Sequence, residues 1–368
     1  MTRPLRAARA AAAPSAGLTV AVTGAASPLG QAVCRRLSAT DGIRQVVALD
    51  TRKPGVPTVK WRKADPTDPG LASALHRVDT LVHLANGSTA DDLTLDRAER
   101  RRQTVTGASV ALTAAAATGV RHVVVLSSAR VYGAFADNPV PLPDGAPVRA
   151  RPDGSALDDL LAVEEFAARA GRMYPQVETA LLRPAIIVGR GIDHPGGGIL
   201  DGPRLLVVRG TKPIWQFCHL EDFAGAVAAT VTGHLTGPLN VGCEGWLEQT
   251  EVERILGRRR VELPADVAVG TATRLHAQGV SGDPASQLDY LIHPWAVSVD
   301  RLREAGWQPA YTNEEALTSW AQGRPLLPLR ITVKGATAAA GAAAGATVAL
   351  VGTAALVRRA RRNRRARR

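Results

Sequence analysis

A turn between a predicted buried strand and a predicted helix is the part of the sequence best suited to bind a phosphate. The residues from Val20 to Gly30 form an apolar run, a turn at Gly24 and the start of a helix. Such a turn directs backbone N–H groups and the positive end of the helix dipole toward one crevice, where a pyrophosphate can bind. Ser27 replaces the middle glycine that is usual in such loops and places a Cβ beside the phosphate. Two glycines are also compatible with close packing alone, so this pattern leaves both interpretations open.

An aspartate twenty residues beyond Gly30 is a second candidate for cofactor binding. Asp50 ends a predicted strand, where a carboxylate can accept hydrogen bonds from both ribose hydroxyls of an adenosine and repels a 2′-phosphate. The sequence therefore predicts NAD in preference to NADP, although Arg52 and Lys53 follow at once and weaken that preference. The alternative is a solvated acid in a turn.

Strands and helices alternate along the rest of the chain. The predicted strands at Thr80 to Leu84 and His122 to Leu126 are apolar on both faces, as in a parallel sheet covered by helices on both sides. We therefore predict an α/β fold, a Rossmann-type doubly wound parallel sheet with a smaller C-terminal substrate lobe. The dinucleotide-binding part is expected at about 17–185, and the substrate lobe mostly at 186–325.

Positive charge is concentrated at the two ends of the 368-residue chain. The net charge is +12, but eight arginines lie between Arg358 and Arg368, and Arg3, Arg6 and Arg9 add three. Without these eleven arginines the chain carries only +1, so we expect no nucleic-acid partner for the folded body. The three cysteines are widely spaced, which favours reduced thiols in a cytoplasmic protein and gives no sign of a metal site.

The two ends also differ from the body in composition. Residues 1–16 are rich in arginine and alanine and lack a continuous apolar run, so we interpret them as a disordered leader. Residues 326–368 comprise an alanine- and glycine-rich segment and an arginine-rich tail. The 23 uncharged residues 335–357 are long enough to span a bilayer, but they are weakly hydrophobic, and the arginines that follow oppose a span. A membrane span, contact with an anionic membrane through 335–368, and a solvated or self-associating tail remain as alternatives.

Several short motifs follow one another between Leu18 and Gln322. They are Thr23–Gly30, Leu84–Asn86, Ser127–Gly133, Arg183–Pro184 with Val188–Gly189, Phe217–Ala224, Asn240–Gly242, Ile255–Arg258 and Leu302–Trp307. In this order they resemble the motifs of the extended short-chain dehydrogenase/reductase family, the group that contains NAD-dependent nucleotide-sugar epimerases and dehydratases. Each match is short, but the whole series is specific. The resemblance implies transient hydride transfer to and from NAD.

The resemblance also implies roles for individual residues. Ser128 would hydrogen-bond the reacting hydroxyl or carbonyl group, and Arg183 with Pro184 would pack against the nicotinamide. The positions expected to bind the cofactor are Gly24, Ser27, Leu29, Gly30, Asp50, Asp65, Leu84, Ala85, Arg183 and Pro184.

A catalytic pair that the resemblance leads us to expect is absent from the sequence. The family has Tyr-x-x-x-Lys on the helix that follows the strand leading to its serine motif. This spacing puts both side chains on one face of the helix, where the tyrosine transfers a proton and the lysine lowers the pKa of the tyrosine. Alignment of this helix on Glu164–Phe166 puts Ala156 at the tyrosine position and Leu160 at the lysine position. No lysine lies between Lys63 and Lys212, so a shifted alignment does not restore the pair.

Tyr132 and His219 are the alternative proton carriers. Tyr132 is close to Ser128 in sequence but matches a structural tyrosine of the family, and His219 lies among apolar residues, as a core histidine does. One hypothesis is an NAD-binding epimerase/dehydratase-like protein with an atypical site that acts on a nucleotide sugar or related polyol. The other is a catalytically inactive NAD-binding sensor or scaffold, membrane-associated through its tail. A homodimer is compatible with both.

Overall fold

The computed structural model describes residues 17–85, 96–192, 200, 204–278 and 284–322. The strands are β1 (Leu18–Thr23), β2 (Ile43–Asp50), β3 (Lys60–Lys63), β4 (Thr80–His83), β5 (His122–Leu126), β6 (Glu178–Pro184), β7 (Ile186–Val188), β8 (Leu205–Val208), β9 (Ile214–Trp215), β10 (Phe217–His219), β11 (Gly237–Val241), β12 (Leu247–Glu248) and β13 (Arg260–Leu263). The helices are α1 (Pro28–Ser38), α2 (Leu71–Ala74), α3 (Arg97–Arg101), α4 (Gly107–Thr118), α5 (Ala156–Met173), α6 (Leu220–Thr232), α7 (Gln249–Leu256), α8 (Ala265–Ala277), α9 (Asp300–Glu304) and α10 (Asn313–Gln322).

Three shorter helical segments complete these elements. A π-helical turn, Arg102–Thr106, joins α3 to α4. The 3-10 turn Ala129–Tyr132 follows β5 and is called the serine turn, because Ser128 caps it. A second 3-10 turn, Ala285–Leu291, belongs to the C-terminal part of the chain and is called the 285–291 turn.

Seven strands form one parallel sheet in the order β3-β2-β1-β4-β5-β6-β11. The central strands β4 and β5 are buried along their whole length because helices cover both faces of the sheet. The direction of strand succession reverses between β1 and β4, and doubly wound sheets bind their ligands at such a point, in the crevice beyond the carboxyl ends of the strands. The predicted Rossmann-type doubly wound sheet is confirmed.

A separate apolar core lies on each face of the sheet. On one face, Val22 packs with Phe223 of α6 in a core that also contains α1. On the other face, Leu81 packs with Leu112 of α4 in a core that also contains α5. Full burial of one such side chain contributes about 1.5–3 kcal/mol, so the helices that frame the crevice are firmly attached to the sheet.

The smaller C-terminal lobe is built from short strands and helices that follow β6. Strand β7 pairs in parallel with β10, β8 pairs in parallel with β13, and β9 pairs antiparallel with β12. A third core unites these elements around Trp215, Phe217 and Trp320. The expected smaller lobe is therefore present.

The expected leader at 1–16 and the tail at 326–368 lie outside the described residues, as does Asn86 of the fourth-strand motif. In the part of the chain that the structure describes, no helix combines the length and the hydrophobicity that crossing a bilayer requires. The alternatives for the tail stay as the sequence leaves them.

Candidate functional site

The turn from β1 into α1 has the geometry of a phosphate-binding loop. Gly24 has a φ angle of +68°, a left-handed conformation that favours glycine, and a Cβ there would lie 3.0 Å from the backbone nitrogen of Ala85. A Cβ on Gly30 would lie 2.1 Å from the carbonyl oxygen of Gly24. The backbone path therefore requires a glycine at both positions.

Ser27 caps helix α1 without straining the turn. Its φ angle is −70°, and its Oγ donates to the carbonyl oxygen of Gly24 at 2.8 Å and accepts from the N–H of Gly30 at 3.0 Å. The hydroxyl is thus folded back into the loop as an N-cap. Leu29 has a buried side chain, and its N–H lies in the first helical turn, where no partner within the helix exists. That N–H is suited to bind an anion.

Asp50 lies at the carboxyl end of β2 and is bonded directly to the loop. Its Oδ2 accepts from the N–H of Ala26 at 2.9 Å, and its Oδ1 accepts from the N–H of Arg52 at 2.9 Å. Trp61 of β3 donates its indole N–H to the carbonyl oxygen of Asp50 at 3.2 Å. A carboxylate offers about four acceptor positions, so Asp50 can hold the loop and still accept hydrogen bonds from a ribose.

The end of β4 forms the opposite wall of the crevice. The Oγ of Thr23 accepts from the N–H of Leu84 at 3.2 Å and lies 2.9 Å from Nδ1 of His83. Burial lowers the pKa of His83 to about 4, so the ring is neutral at pH 7. Ala85 follows this strand end and faces the phosphate-binding turn.

Asp65 follows β3 and forms a local turn. Its Oδ1 accepts from both the N–H and the hydroxyl of Thr67, each at 2.8 Å. The Thr67 hydroxyl also accepts a hydrogen bond from Arg102. These contacts give Asp65 a structural role, and its expected contact with the cofactor stays a prediction.

Ser128 lies at the junction of the two lobes. Its Oγ accepts from the N–H of Arg130 at 3.3 Å, and the residue is partly exposed. Tyr290 of the 285–291 turn donates its hydroxyl to the carbonyl oxygen of Arg130 at 2.7 Å. The smaller lobe therefore closes directly on the serine turn.

Helix α5 carries the two positions at which the resemblance places the catalytic pair. Ala156 is its first residue, and Leu160, one turn later, is buried. Ser155 caps this helix, with its Oγ accepting from the N–H of Leu157 at 3.1 Å. Neither a methyl group nor an isobutyl group exchanges a proton, so these two positions supply no acid or base.

A buried charged network lies beneath the serine turn, and its carboxylate, Glu164, is a functional candidate that the motifs in the sequence do not single out. Glu164 accepts two hydrogen bonds from Arg183, Nε to Oε1 at 2.9 Å and Nη2 to Oε2 at 2.7 Å, and one from the Ser127 hydroxyl at 2.5 Å. Arg183 Nη1 donates to the hydroxyl of Tyr132 at 3.0 Å, and that hydroxyl donates to Oδ1 of Asn240 at 2.7 Å. The network joins β5, α5, β6 and β11.

This network occupies the polar atoms of Arg183 and Tyr132. The Arg183 side chain is only 6% exposed, so its guanidinium serves the interior, while its neighbour Pro184 pairs with Val241 on β11. Burial raises the pKa of Tyr132 despite the opposing charge of Arg183. Tyr132 is therefore poorly suited to carry a proton near pH 7.

His219 has a structural position in the smaller lobe. It precedes α6, and its Nδ1 accepts from the N–H of Glu221 at 3.3 Å. Its ring stacks on Tyr311 with the ring centroids 3.6 Å apart, and its Nε2 lies 3.2 Å from the hydroxyl of Ser319. Burial lowers its pKa. These contacts are those of a satisfied, buried histidine.

The described residues contain no group of three or more histidine, cysteine, aspartate or glutamate side chains placed to hold a metal ion. Burial raises the pKa of Cys34 and Cys243 to about 12. Both thiols are therefore protonated at neutral pH and poorly reactive.

The sequence model of the NAD-dependent epimerase/dehydratase family matches residues 20–242 of this chain. The chain belongs to this family. The matched region begins in β1 and ends just after β11, so it contains the phosphate-binding turn, Asp50, Ser128 and the buried network of Glu164.

The similar proteins include uncharacterized relatives and solved enzymes of the same fold. An uncharacterized protein of Mycobacterium tuberculosis is 28% identical over 320 residues, which are 84% of this chain and 85% of that protein. An uncharacterized protein of Sinorhizobium fredii is 26% identical and covers 57% of this chain and 55% of its own length.

Three solved structures show the fold in proteins of stated activity or ligand. UDP-glucose 4-epimerase of Thermus thermophilus in complex with NAD has a TM-score of 0.61 at 19% identity, covering 83% of this chain and 98% of that one. dTDP-glucose 4,6-dehydratase of Bacillus anthracis in complex with NAD has a TM-score of 0.61 at 15% identity, covering 83% and 96%. MoeE5 in complex with UDP-glucuronic acid and NAD has a TM-score of 0.60 at 20% identity, covering 83% and 98%.

Proposed function

We propose that this chain binds a nicotinamide dinucleotide, NAD in preference to NADP, and a nucleotide sugar or related polyol beside Ser128. The observation that carries the proposal is the hydrogen bond from the N–H of Ala26 to Asp50. It places a helix N-terminus and a carboxylate side by side at the carboxyl end of the sheet. This arrangement suits a pyrophosphate followed by an adenosine ribose.

The residues of the crevice fit the adenosine and pyrophosphate part of such a cofactor. Gly24 and Gly30 leave the backbone of the turn bare where a Cβ would collide with neighbouring backbone atoms. The N–H of Leu29 would donate to the pyrophosphate, and Asp50 would accept from the ribose hydroxyls. Asp65 and the strand end at 84–85 would line the adenosine side.

The reactive side of the site is built from Ser128 and its supports. Bound NAD supplies a hydride acceptor that later returns the hydride. Ser128 would hydrogen-bond the reacting hydroxyl or carbonyl oxygen, while the Glu164–Arg183 pair holds the end of β5 and helix α5 in place. Pro184 would present an apolar surface toward the nicotinamide.

The reaction that these residues support is slow transient hydride transfer, as in epimerisation or dehydration. Positioned general acid–base catalysis commonly contributes about a hundred- to ten-thousandfold in rate. Ala156 and Leu160 cannot supply it, and Tyr132 is tied to Arg183 and Asn240. The chain is therefore expected to retain binding better than turnover.

A second candidate function is a catalytically inactive NAD-binding sensor or scaffold. The buried, apolar Leu160 at the lysine position favours it. The two functions differ in one measurement, because a single-turnover experiment with a nucleotide sugar forms NADH only if hydride transfer occurs.

The proposal is tested by titrating the purified chain with NAD and NADP, then with UDP-glucose, UDP-glucuronate and dTDP-glucose in the presence of NAD. We expect tighter binding of NAD than of NADP and measurable binding of a nucleotide sugar. Failure to bind any dinucleotide contradicts the whole proposal. Equal or tighter binding of NADP contradicts only the role given to Asp50, and would mean that Arg52 and Lys53 dominate.

We also propose that residues 335–368 attach an otherwise cytoplasmic protein to anionic membranes. Each arginine close to such a surface contributes about 1 kcal/mol of attraction, and eight lie in the last eleven residues. Removal of residues 336–368 is expected to abolish sedimentation with anionic vesicles and to leave folding and dinucleotide binding intact. An insoluble or cofactor-free truncated chain would show instead that the tail belongs to the fold.

A further inference from the structure

Arg130 is a half-buried cation beside Ser128 for which the described residues provide no carboxylate partner. Its guanidinium donates to Oε1 of Gln287 and lies over the ring of Tyr290, 5.1 Å from the centroid. Arg100, which is also half-buried, is by contrast paired with Asp159 at 3.1 Å. Cations withdrawn from water are normally compensated, so the charge of Arg130 is available to a ligand.

Gln287 fixes the place of this guanidinium within the site. Its Nε2 donates to the hydroxyl of Ser155 at 3.2 Å and also to Asp153. Ser155 immediately precedes Ala156, the position at which the family has its catalytic tyrosine. Arg130 therefore lies where the serine turn, the start of α5 and the 285–291 turn meet, on the side of Ser128 that faces the smaller lobe.

Asp153 is joined to Arg130 only through Gln287 and does not neutralise it. Its Oδ1 accepts from the N–H of Ser155 at 3.0 Å, and its Oδ2 accepts from the hydroxyl of Ser286 at 2.8 Å and from Gln287. The Gln287 amide thus stands between the two charges, with its N–H groups toward Asp153 and its carbonyl oxygen toward Arg130. The described partners of the guanidinium are therefore the Gln287 amide and Tyr290, neither of which carries a charge that neutralises it.

We propose that Arg130 binds an anionic oxygen group of the substrate, either a carboxylate on the sugar or a phosphate of the nucleotide. The inference rests on the proposed nucleotide-sugar function. A guanidinium presents a planar fork of N–H donors that matches both carboxylate and phosphate oxygens. Stacking on Tyr290 and the hydrogen bond to Gln287 hold the plane of that fork before a ligand arrives. Arg130 is therefore a specificity-determining residue next to the reacting group.

The competing interpretation is that Arg130 only ties the two lobes together. If Arg130 is only a structural tie, its removal lowers the affinity for every ligand and also lowers the melting temperature. An anion-binding residue, when removed, weakens ligands according to the anionic groups they carry and leaves the melting temperature and NAD affinity unchanged. The two interpretations therefore differ in readouts other than activity.

The test measures the affinities of the NAD-loaded chain and of its Arg130→Gln variant for UDP-glucuronate, UDP-glucose and UDP by calorimetry. We expect the variant to lose about tenfold or more in affinity, as is usual for hydrogen bonds to a charged group. A loss confined to UDP-glucuronate assigns Arg130 to a sugar carboxylate, and an equal loss for all three ligands assigns it to a phosphate. Unchanged affinities for all three ligands, or losses accompanied by a lower melting temperature and weaker NAD binding, overturn the proposal.

Two further variants separate charge from structure. Arg149→Gln is the matched control, because Arg149 also lies over an aromatic ring, Phe135 at 4.4 Å, but is paired with Asp137 at 2.9 Å. It should leave all affinities unchanged. Gln287→Glu retains Arg130 and places a carboxylate against it, so it should weaken the same ligands as Arg130→Gln does.

The proposed nucleotide-sugar function and the assignment of Arg130 are contradicted by different results. If the chain binds NAD but none of the three UDP ligands nor dTDP-glucose, the proposed nucleotide-sugar function is contradicted and the inference on Arg130 falls with it. If the UDP ligands bind and Gln287→Glu leaves their affinities unchanged, the assignment of Arg130 alone is overturned.

Discussion

We call the part of the proposed site around Gly24, Gly30 and Asp50 the adenosine side, and the part around Ser128 and the start of α5 the reactive side. The two sides differ in how firmly their candidate residues are built into the fold. On the adenosine side, Ser27 is hydrogen-bonded to Gly24 and Gly30, and its neighbour Ala26 is hydrogen-bonded to Asp50. On the reactive side, Ser128 is partly exposed, and the positions where the resemblance places an acid and its partner cation hold Ala156 and Leu160.

The reason lies in what each side contributes to folding. The glycines are required by the backbone, since a Cβ at Gly30 would lie 2.1 Å from a carbonyl oxygen, so losing them costs stability. The helix α5 is instead anchored by the hydrogen bonds between Glu164 and Arg183. Glu164 lies two turns beyond Ala156 on this helix. The start of the helix is held by the Ser155 cap and by the ion pairs of Asp159 with Arg100 and Arg101, and none of these contacts involves the side chain of Ala156. We therefore expect cofactor binding to be coupled to stability in this molecule more closely than proton transfer is.

The largest expected effect comes from restoring the missing pair with Ala156→Tyr and Leu160→Lys. If the reactive side lacks only a proton carrier, the double variant should accelerate NAD reduction or sugar interconversion by about a hundred- to ten-thousandfold. The measurement is single-turnover NADH formation over a panel of nucleotide sugars. Ala156→Phe with Leu160→Met is the matched control, because it supplies similar bulk without an ionisable group.

The rate of the unmodified chain tests whether the reactive side lacks an acid. Turnover at an ordinary enzymatic rate, about 1 to 1000 per second, would mean that another residue already carries the proton. The contrast between the two sides of the crevice would then concern the identity of the acid and not its absence.

The next largest effect is expected for Glu164→Gln, which tests whether the network anchors the reactive side. This change leaves the Arg183 guanidinium buried without a counter-charge, and breaking a buried pair in this way costs about 3–5 kcal/mol of unfolding free energy. Urea denaturation gives that difference. Glu314→Gln is the control, since the exposed Arg254–Glu314 pair at 2.8 Å should contribute about 0–1 kcal/mol. Similar values for both variants would show that the network is not an anchor.

The fold was largely predictable because its signals are local. The apolar run His122 to Leu126 is found as β5 with the predicted bounds, and the turn after β1 follows from its glycines. Ser27 could be recognised as a departure from the motif, but its use as a helix cap requires the distances to Gly24 and Gly30.

The contacts that support the reactive side were not predictable, because they join residues far apart in sequence. Arg183 meets Tyr132 across 51 positions, and Arg130 meets Gln287 across 157. One signal could have identified Glu164 as buried: it lies on the apolar stripe of α5 with Leu160 and Ala167, at helical spacing. A charge on such a stripe requires a partner, although the sequence does not name it.

The smallest effect is expected for Asp50→Asn, which sharpens the description of the adenosine side. Asparagine keeps one side-chain oxygen for the N–H of Ala26, so the loop should stay in place, but it loses an acceptor for the ribose and the charge that repels a 2′-phosphate. We expect NAD affinity to fall by about tenfold, in line with one hydrogen bond to a charged group, and NADP affinity to hold or rise. Titration of both cofactors measures the ratio, and Arg52→Gln should shift it in the opposite direction. An unchanged ratio of NAD affinity to NADP affinity in Asp50→Asn would mean that Asp50 only holds the loop in place. The adenosine side would then keep its structure without selecting between the two cofactors.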